Sequence, residues 1–286
     1  MTNPILPTPL IRADDLLDRV RLGTVRVLDA RFDLARPEAG ADAFRAGHIP
    51  GAQHVHLDHD LSAKGEVPAL CGGRHPLPTR AHFAATVGRL GITPATPVVV
   101  VDAQGGMFAA RAWWMLRWLG HEAVAVLDGG MAAWSAAGGA LEAGAAAAPE
   151  PAAAYPLSAE PGRAVVDADT LQARLGRVTL IDARAPERYR GDVEPLDPVA
   201  GHIPGALNRP FNANLGADGR FHAPETLRAA FAPLLGAGEV VHQCGSGVTA
   251  CHNLLAMEIA GLPAATLYAG SWSEWCRDGR RPVARG

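Results

Sequence analysis

The sequence predicts an α/β fold in two tandem domains, each with a mainly parallel sheet flanked by helices. An internal repeat is the first observation: Val-Leu-Asp-Ala-Arg at residues 27–31 recurs as Leu-Ile-Asp-Ala-Arg at 180–184, and Gly-His-Ile-Pro-Gly-Ala recurs unchanged at 47–52 and 201–206. The second is that short β-rich runs alternate with helical patterns in both halves. The third is a stretch rich in alanine, proline and glutamate over about residues 141–161. We therefore expect domains at 1–140 and 162–286, joined by a linker at 141–161.

The elements of the first half follow from hydrophobic periodicity. The pattern predicts helices over residues 14–21, 78–90 and 107–119, and strands over residues 25–28, 97–101 and 124–127. The second half repeats this order, so we expect it to repeat the fold.

Composition limits the classes of function. The 286 residues carry 26 Lys and Arg against 29 Asp and Glu, a formal charge of −3, and no basic run of the kind that nucleic acid requires. No stretch is long and apolar enough to span a membrane. Four cysteines are far apart without a CxxC pair, which argues against disulfides or a zinc site and favours a reducing, cytoplasmic location.

One cysteine stands at a strand-to-helix junction. An apolar run over residues 240–243 leads into Cys244, glycines follow at 245 and 247, and a helical pattern continues to about Ala260. Ligands of parallel α/β sheets bind at the carboxyl ends of strands. The glycines let backbone N–H groups turn inward, and the helix adds the positive end of its dipole. The loop therefore favours a nucleophilic thiolate and would hold an anionic sulfur attached to it.

Two other interpretations of this loop remain open. A buried structural cysteine beside a tight turn is the simpler one. A cysteine phosphatase also places its loop between strand and helix, but such loops close with an arginine six residues after the cysteine, and Ala250 occupies that position here.

The stretch Cys-Gly-Ser-Gly-Val-Thr at 244–249 resembles the active loop of the rhodanese-type sulfurtransferases, and within them the 3-mercaptopyruvate branch. The resemblance covers nearly the whole chain and implies that Cys244 carries sulfur as a persulfide, with no cofactor and no metal. The residues implied to hold the donor or the persulfide are Gly245, Ser246, Gly247, Val248, Thr249 and Arg188. A small-molecule donor and a thiol or thioredoxin-like acceptor are implied. Thiosulfate is the alternative donor, and a non-catalytic persulfide-binding regulatory module is the alternative class.

The two halves differ at the nucleophile. Comparing the two loops by sequence sets Gln104 against Cys244, so we expect the first half to keep the fold without catalysing transfer. Asp182 and Arg184 match a pair that braces the loop, and Arg190 is expected at the surface. Family members often have a further arginine after Glu194-Pro195, which this chain lacks.

Histidines outside the loop have several interpretations. His48 and His202 occupy the repeated Gly-His-Ile-Pro-Gly turns, where a structural role is favoured over a relay from His48 through Ser246. The run from His54 to Asp60 resembles a metal cluster but is more typical of a polar segment after a strand.

The insertion over residues 72–78 contains Arg74 and His75. A surface loop is the simpler interpretation, and a segment lining the cleft between the domains is the alternative. Cys251 and the tryptophans at 113, 114, 272 and 275 are expected to pack in the core, although Trp272 could form a wall of the pocket.

Overall fold

The computed structural model describes residues 6, 8–65, 67–147, 150–236 and 238–286. These residues form two compact units. The first draws on residues within 1–68, 78–162 and 217–221, and the second comprises 69–77, 163–216 and 222–286. The division falls after residue 162, and two short segments, residues 69–77 and 217–221, belong to the unit of the other half.

The first unit contains a five-stranded sheet of order β1-β5-β4-β2-β3, and every pairing is parallel. Its strands are β1 (Leu10–Ile11), β2 (Arg26–Asp29), β3 (Gln53–His54), β4 (Val98–Val101) and β5 (Val124–Leu127). Its helices are α1 (Ala13–Arg21), α2 (Ala39–Ala46), α3 (Arg80–Arg89), α4 (Ala109–Leu119) and α5 (Gly130–Ala136). The elements predicted from periodicity are confirmed, with bounds that shift by up to two residues.

The second unit repeats this plan with the parallel order β7-β6-β8-β9. Its strands are β6 (Thr179–Asp182), β7 (Leu207–Asn208), β8 (Val240–Gln243) and β9 (Thr266–Leu267). Its helices are α6 (Ala168–Ala173), α7 (Pro186–Arg190), α8 (Pro224–Phe231), α9 (Thr249–Ile259) and α10 (Ser271–Trp275), with 3-10 turns at Phe211–Asn214 and Ala232–Leu234. A parallel bridge between Val165 and Leu267 takes the place that β1 has in the first unit.

Burial explains why the central strands are uninterrupted apolar runs. All four valines of β4 are fully buried, as expected for a strand covered on both faces of a parallel sheet. Helix α4 buries Trp113, Trp114 and Trp118, so the tryptophans expected in the core lie there. Trp272 and Trp275 are likewise fully buried in the second unit.

The stretch predicted as a linker packs on the first unit where it is described; residues 148 and 149 of that prediction lie outside the described residues. Glu142 pairs with His48 in an antiparallel bridge, and the backbone N–H of Tyr155 donates to the carbonyl of Ala84 at 3.0 Å. Tyr155 is itself buried, with its hydroxyl 3.1 Å from Nδ1 of His121. Alanine and proline here therefore mark an ordered, irregular segment.

Among the described residues, no helix combines the length and apolar character needed to cross a membrane.

One buried histidine makes stability depend on pH. His242 lies in the central strand β8 with no exposed surface, its Nε2 is 3.0 Å from the sulfur of Met257, and burial lowers its pKa to about 3. Below pH 6.5 the His242 side chain of the unfolded chain binds a proton, whereas in the folded chain it stays neutral down to about pH 3. The contribution of neutral His242 to stability is therefore complete above pH 6.5 and is lost as the pH falls.

We expect His242→Leu to remove this dependence. Between pH 7 and pH 5 the wild type should lose about 2 kcal/mol of unfolding free energy more than the variant does. Urea unfolding of both proteins at the two pH values measures the difference. Equal losses in the two proteins would contradict the assignment.

Candidate functional site

Cys244 follows directly after strand β8 and is 2 % exposed. Its sulfur accepts a hydrogen bond from the backbone N–H of Gly247 at 3.2 Å. Helix α9 begins at Thr249, so the sulfur lies beside the amino end of that helix, where N–H groups and the helix dipole favour negative charge. The predicted strand, loop and helix are confirmed.

Gly247 is required by the backbone. Its φ is +75°, in the left-handed region that side chains rarely adopt, and a Cβ there would overlap the carbonyl oxygen of Ala269. The loop can therefore close tightly around the sulfur only with glycine at this position.

Ser271 holds the amide of the cysteine and was missed by sequence reasoning. Its hydroxyl accepts from the backbone N–H of Cys244 at 3.1 Å and donates to the carbonyl of Tyr268 at 2.9 Å. It is the one described residue other than glycine with a positive φ, +54°, and Gly130 of the first unit has φ +55°. A serine where the repeat has glycine was the available signal, since such strain concentrates at functional sites.

The register of the two sheets shows which residue of the first-unit loop corresponds to Cys244. Asp29 of β2 pairs with Val101 of β4, just as Asp182 of β6 pairs with Gln243 of β8. The residue after each strand is therefore Asp102 in the first unit and Cys244 in the second. A hydrogen bond present in both units supports the equivalence of Asp102 and Cys244. The backbone N–H of Met131 donates to the carbonyl of Asp102, and the backbone N–H of Trp272 donates to the carbonyl of Cys244.

The expectation that Gln104 replaces the nucleophile was therefore wrong. Helix α4 begins seven residues after Asp102, whereas α9 begins five residues after Cys244. The two loops differ in length, so a comparison by sequence alone shifted the register. Gln104 instead donates through its amide nitrogen to the carbonyl of Phe32 at 3.0 Å.

The first-unit loop shows what such a loop holds. The Asp102 carboxylate is fully buried and accepts four backbone N–H groups at 2.8–2.9 Å. The donors are Gln104, Gly106, Phe108 and Ala109. The fold thus builds an anion cradle at this strand end, and in the first unit a carboxylate of the chain itself fills it.

The Asp–Arg pair predicted to brace the loop is present in both units. Arg184 donates to both carboxylate oxygens of Asp182 and, at 2.7 Å, to the carbonyl of Gly201. Arg31 makes the same contacts with Asp29 and with the carbonyl of Gly47. Each pair ties a strand end to the repeated Gly-His-Ile-Pro-Gly turn.

Arg188 and Arg190 differ in their surroundings. Arg188 Nη2 donates to Glu194 at 2.7 Å and to Asp197 at 3.4 Å, and its Nη1 would lie 3.4 Å from a methyl group placed on Gly245. Arg190 pairs with Asp192 at the surface, as expected. The guanidinium of Arg188 therefore lies beside the cysteine loop.

Residues 69–77 belong to the unit that contains Cys244 and form a partly exposed loop in which His75 and Leu77 are buried. His75 is 3 % exposed, and its Nδ1 lies 2.7 Å from the hydroxyl of Ser246. Arg74 forms an ion pair with Asp197, and its backbone N–H donates to the Ser273 hydroxyl at 3.0 Å. The glycines and proline of this segment marked a loop, but only the fold shows which unit it joins.

The relay from His48 to Ser246 is also wrong. His48 lies in the first unit, stacked on Phe44 with its Nδ1 2.8 Å from the Phe44 carbonyl. His202 stacks on Tyr189 and contacts its carbonyl in the same way. The histidine that contacts Ser246 is His75, and the structural role favoured for the repeated histidines is confirmed.

The histidine run brings Glu38, His56 and His59 together in the first unit. His56 is buried, and its Nδ1 accepts the backbone N–H of Asp58 at 3.1 Å. Neutral imidazole with an accepting Nδ1 carries its proton on Nε2, which faces Glu38 at 3.6 Å. Burial and the neighbouring His59 lower the pKa of His56, which favours this neutral form. The ring therefore offers a proton donor to the cluster, not a metal ligand.

Other predicted positions lie in the core around the loop. Val248 is buried, Thr249 opens helix α9, and the buried Cys251 thiol donates to the Gly247 carbonyl at 3.3 Å. Trp272 packs under Arg184 and donates to the carbonyl of Val199 at 2.9 Å, so it packs in the core.

A duplicated parallel α/β fold, with a buried cysteine at a strand-to-helix junction of its second copy, defines a class of two-domain α/β proteins. A family model described as "Rhodanese-like domain" matches residues 12–137 and 167–278. A Pseudomonas aeruginosa protein named "Probable 3-mercaptopyruvate sulfurtransferase" is 49% identical over 97% of this chain and 98% of its own length. The human 3-mercaptopyruvate sulfurtransferase is 36% identical over 96% of this chain and 94% of its own.

Two further comparisons extend this result. The thiosulfate sulfurtransferase of Rattus norvegicus is 34% identical over 97% of this chain and 95% of its own. A solved structure, 3-mercaptopyruvate sulfurtransferase from Leishmania major, superposes with a TM-score of 0.83 at 30% identity, covering 99% of this chain and 77% of that one. The chain belongs to the tandem rhodanese-like sulfurtransferase family and is an enzyme of that family.

The corrected equivalence makes a prediction about the first unit. Asp102→Asn would turn an amide NH₂ toward a cradle of backbone N–H donors, so we expect a loss of roughly 3 kcal/mol or more of unfolding free energy. Gln104→Ala removes a single neutral hydrogen bond, so it should cost about 1 kcal/mol and keep most of the activity. Denaturant unfolding and turnover of both variants give the comparison. A more destabilising Gln104→Ala would restore Gln104 as the central residue of this loop.

Proposed function

We propose that the protein transfers sulfur from 3-mercaptopyruvate through a Cys244 persulfide to a thiophilic acceptor. The observation that carries the proposal is the Cys244 sulfur in an anion cradle, 3.2 Å from the N–H of Gly247, beside the guanidinium of Arg188. The acceptor is cyanide in an assay and a thiol or thioredoxin-like protein in the cell. The free cysteines suit a cytoplasmic, reducing compartment.

The first half-reaction forms a sulfur–sulfur bond. The Cys244 thiolate attacks the sulfur of the donor, and the carbon–sulfur bond breaks with its electron pair passing to carbon as the enolate of pyruvate. The thiol proton of the donor ends on that carbon, so the products are pyruvate and the Cys244 persulfide anion. Backbone N–H groups of residues 245–249 hold this anion, as those of the first unit hold the Asp102 carboxylate.

Ser246 and His75 provide a route for the proton. Ser246 is the second residue after Cys244, and its hydroxyl lies 2.7 Å from Nδ1 of His75. A hydroxyl backed by an imidazole can take the donor's proton and return it to the enolate carbon without leaving the buried loop. In the second half-reaction the acceptor attacks the outer sulfur and releases the Cys244 thiolate.

Charge balance favours a carboxylate donor over thiosulfate. The buried network beside the loop contains the arginines Arg74, Arg184 and Arg188 and the carboxylates of Asp182, Glu194 and Asp197. Three cations face three anions, so the network carries no net charge. A dianion such as thiosulfate therefore gains little from its second charge, whereas a planar carboxylate can use the directional N–H groups of Arg188. Thiosulfate is the second candidate, because thiosulfate sulfurtransferases are among the relatives.

Replacing each of the four cysteines by serine tests which of them is the nucleophile. We expect Cys244→Ser to abolish transfer, and Cys71→Ser, Cys251→Ser and Cys276→Ser to keep it, because Cys244 is the cysteine that lies between the end of strand β8 and the amino end of helix α9. Intact-mass measurement after donor treatment should show one added sulfur, absent in Cys244→Ser. Near-normal turnover by that variant would refute the mechanism.

Donor choice is tested by kinetics with both donors. The wild type should prefer 3-mercaptopyruvate over thiosulfate by at least about tenfold in kcat/KM. Arg188→Ala should reduce kcat/KM for mercaptopyruvate by about tenfold to a hundredfold, because it removes a charge-assisted contact of roughly 1.5–3 kcal/mol. Wild-type enzyme that uses thiosulfate equally well or better would reject this donor and leave sulfur transfer in place.

A further inference from the structure

Helix α10 holds the cysteine loop through its first turn. The Ser271 hydroxyl accepts from the backbone N–H of Cys244. The backbone N–H of Trp272 donates to the carbonyl of Cys244 at 3.0 Å, and that of Ser273 donates to the carbonyl of Gly245 at 2.9 Å. These three residues of the helix are fully buried. The start of α10 therefore fixes the backbone of the reactive cysteine and of the residue that follows it.

The same helix holds a second segment, residues 69–77, through two side chains. The backbone N–H of Gly72 donates to Oε1 of Glu274 at 2.6 Å. The backbone N–H of Arg74 donates to the hydroxyl of Ser273 at 3.0 Å. A serine hydroxyl and a glutamate carboxylate on neighbouring positions of α10 therefore accept two amides of this segment.

Two glycines allow the close approach of the segment and the helix. Gly73 lies between the two anchored amides with φ +94°, and a Cβ there would lie 2.7 Å from the Gly270 carbonyl oxygen. A Cβ on Gly270 would in turn overlap the carboxylate of Glu274. Glycine at both positions therefore lets the segment and the carboxylate pack directly against the start of α10.

The segment closes on itself, so the two anchors set the position of the residues that it carries. The N–H of Leu70 donates to the carbonyl of Leu77 at 2.8 Å, and the N–H of Leu77 donates to the sulfur of Cys71 at 3.2 Å. His75 lies between the anchored amides and this closed end, with its Nδ1 2.7 Å from the hydroxyl of Ser246. Helix α10 therefore connects the segment that carries His75 with the loop that carries Ser246.

The first unit has neither acceptor side chain. Helices α5 and α10 correspond, because the second residue of each helix donates its N–H to the carbonyl of the residue that follows the central strand. The next two residues are Ala132 and Ala133 in α5, and Ser273 and Glu274 in α10. Ala133 packs in the apolar core of its unit. The side chains that hold residues 72–75 therefore belong to the copy that carries the reactive cysteine.

We propose that Ser273 and Glu274 are positioning residues for the sulfur-transfer reaction. They hold the backbone of residues 72–75 on helix α10, and this places the imidazole of His75 against Ser246. They act through that segment and not on the reacting atoms. The inference rests on the proposed function, in which His75 and Ser246 carry the proton of the donor.

Nitrogen NMR of protein made with isotopically labelled histidine tests the placement of His75 without turnover. The imidazole signals of His75 are identified by their absence from His75→Gln, and Ser246→Ala gives the Nδ1 signal without its partner. We expect Glu274→Ala to move the Nδ1 signal to the Ser246→Ala value. Glu274→Gln should keep the wild-type value, because its amide oxygen can still accept from the N–H of Gly72.

Kinetics test the consequence for the reaction. We expect Glu274→Ala to lower kcat/KM for 3-mercaptopyruvate by about tenfold or more, because a misplaced imidazole loses much of the contribution of general acid–base catalysis. Glu274→Gln should stay within about threefold of the wild type. Glu225→Ala, which removes an exposed glutamate from helix α8 of the same unit, is the matched control and should change neither kcat/KM nor the His75 signal.

A second variant keeps the test independent of the folding of Glu274→Ala. Ser273→Ala removes only the acceptor of the Arg74 amide, which is a single neutral hydrogen bond. It should move the His75 signal in the same direction, with a smaller fall in kcat/KM.

The outcomes separate this inference from the proposed function. An unchanged His75 signal in both Glu274→Ala and Ser273→Ala would overturn the positioning role, and so would equal losses in Glu274→Ala and Glu274→Gln. A displaced His75 signal with unchanged kcat/KM would refute the proton route through His75 and with it the role of Ser273 and Glu274 in the reaction. A wild type that does not turn over mercaptopyruvate would refute the proposed donor, and the NMR comparison would still decide whether α10 positions His75.

Discussion

Both units depend on the same constraint: a tight loop after a central strand turns backbone N–H groups inward, and these buried donors need an acceptor. In the first unit the Asp102 carboxylate satisfies four of them. In the second unit the corresponding position is Cys244, whose sulfur accepts from Gly247. The Asp102 carboxylate occupies this loop in one copy, and we propose that the Cys244 sulfur at the same position carries the chemistry of the other.

The duplicated fold is maintained by contacts that both units share. The Asp–Arg pairs bind the turns at Gly47 and Gly201, and the histidines of those turns stack on Phe44 and Tyr189. Function follows from the positions where the copies differ. Ser271 stands where the first unit has Gly130 and has the same positive φ, which strains the backbone of a residue other than glycine. Its hydroxyl accepts a hydrogen bond from the backbone N–H of Cys244.

The buried charges around the site are balanced in a way that shapes recognition. Asp197 and Glu194 neutralise the arginines while leaving some of their N–H groups open. Because the field of such a network is small, selectivity depends on the direction of hydrogen bonds more than on the charge of the ligand.

The sequence by itself determined the duplication, the α/β class, the central strands and the strand–loop–helix segment around Cys244, because hydrophobic periodicity, the repeated motifs and Gly245–Gly247 are local signals. It could not determine what lies beside Cys244. The equivalence of Asp102 depended on sheet register, since the two loops differ in length. The partnership of His75 with Ser246, and of Arg74 with Asp197, joins residues more than 120 positions apart, so no local pattern reports it. Contacts of that kind exist only when the chain folds, and tertiary structure alone decided them.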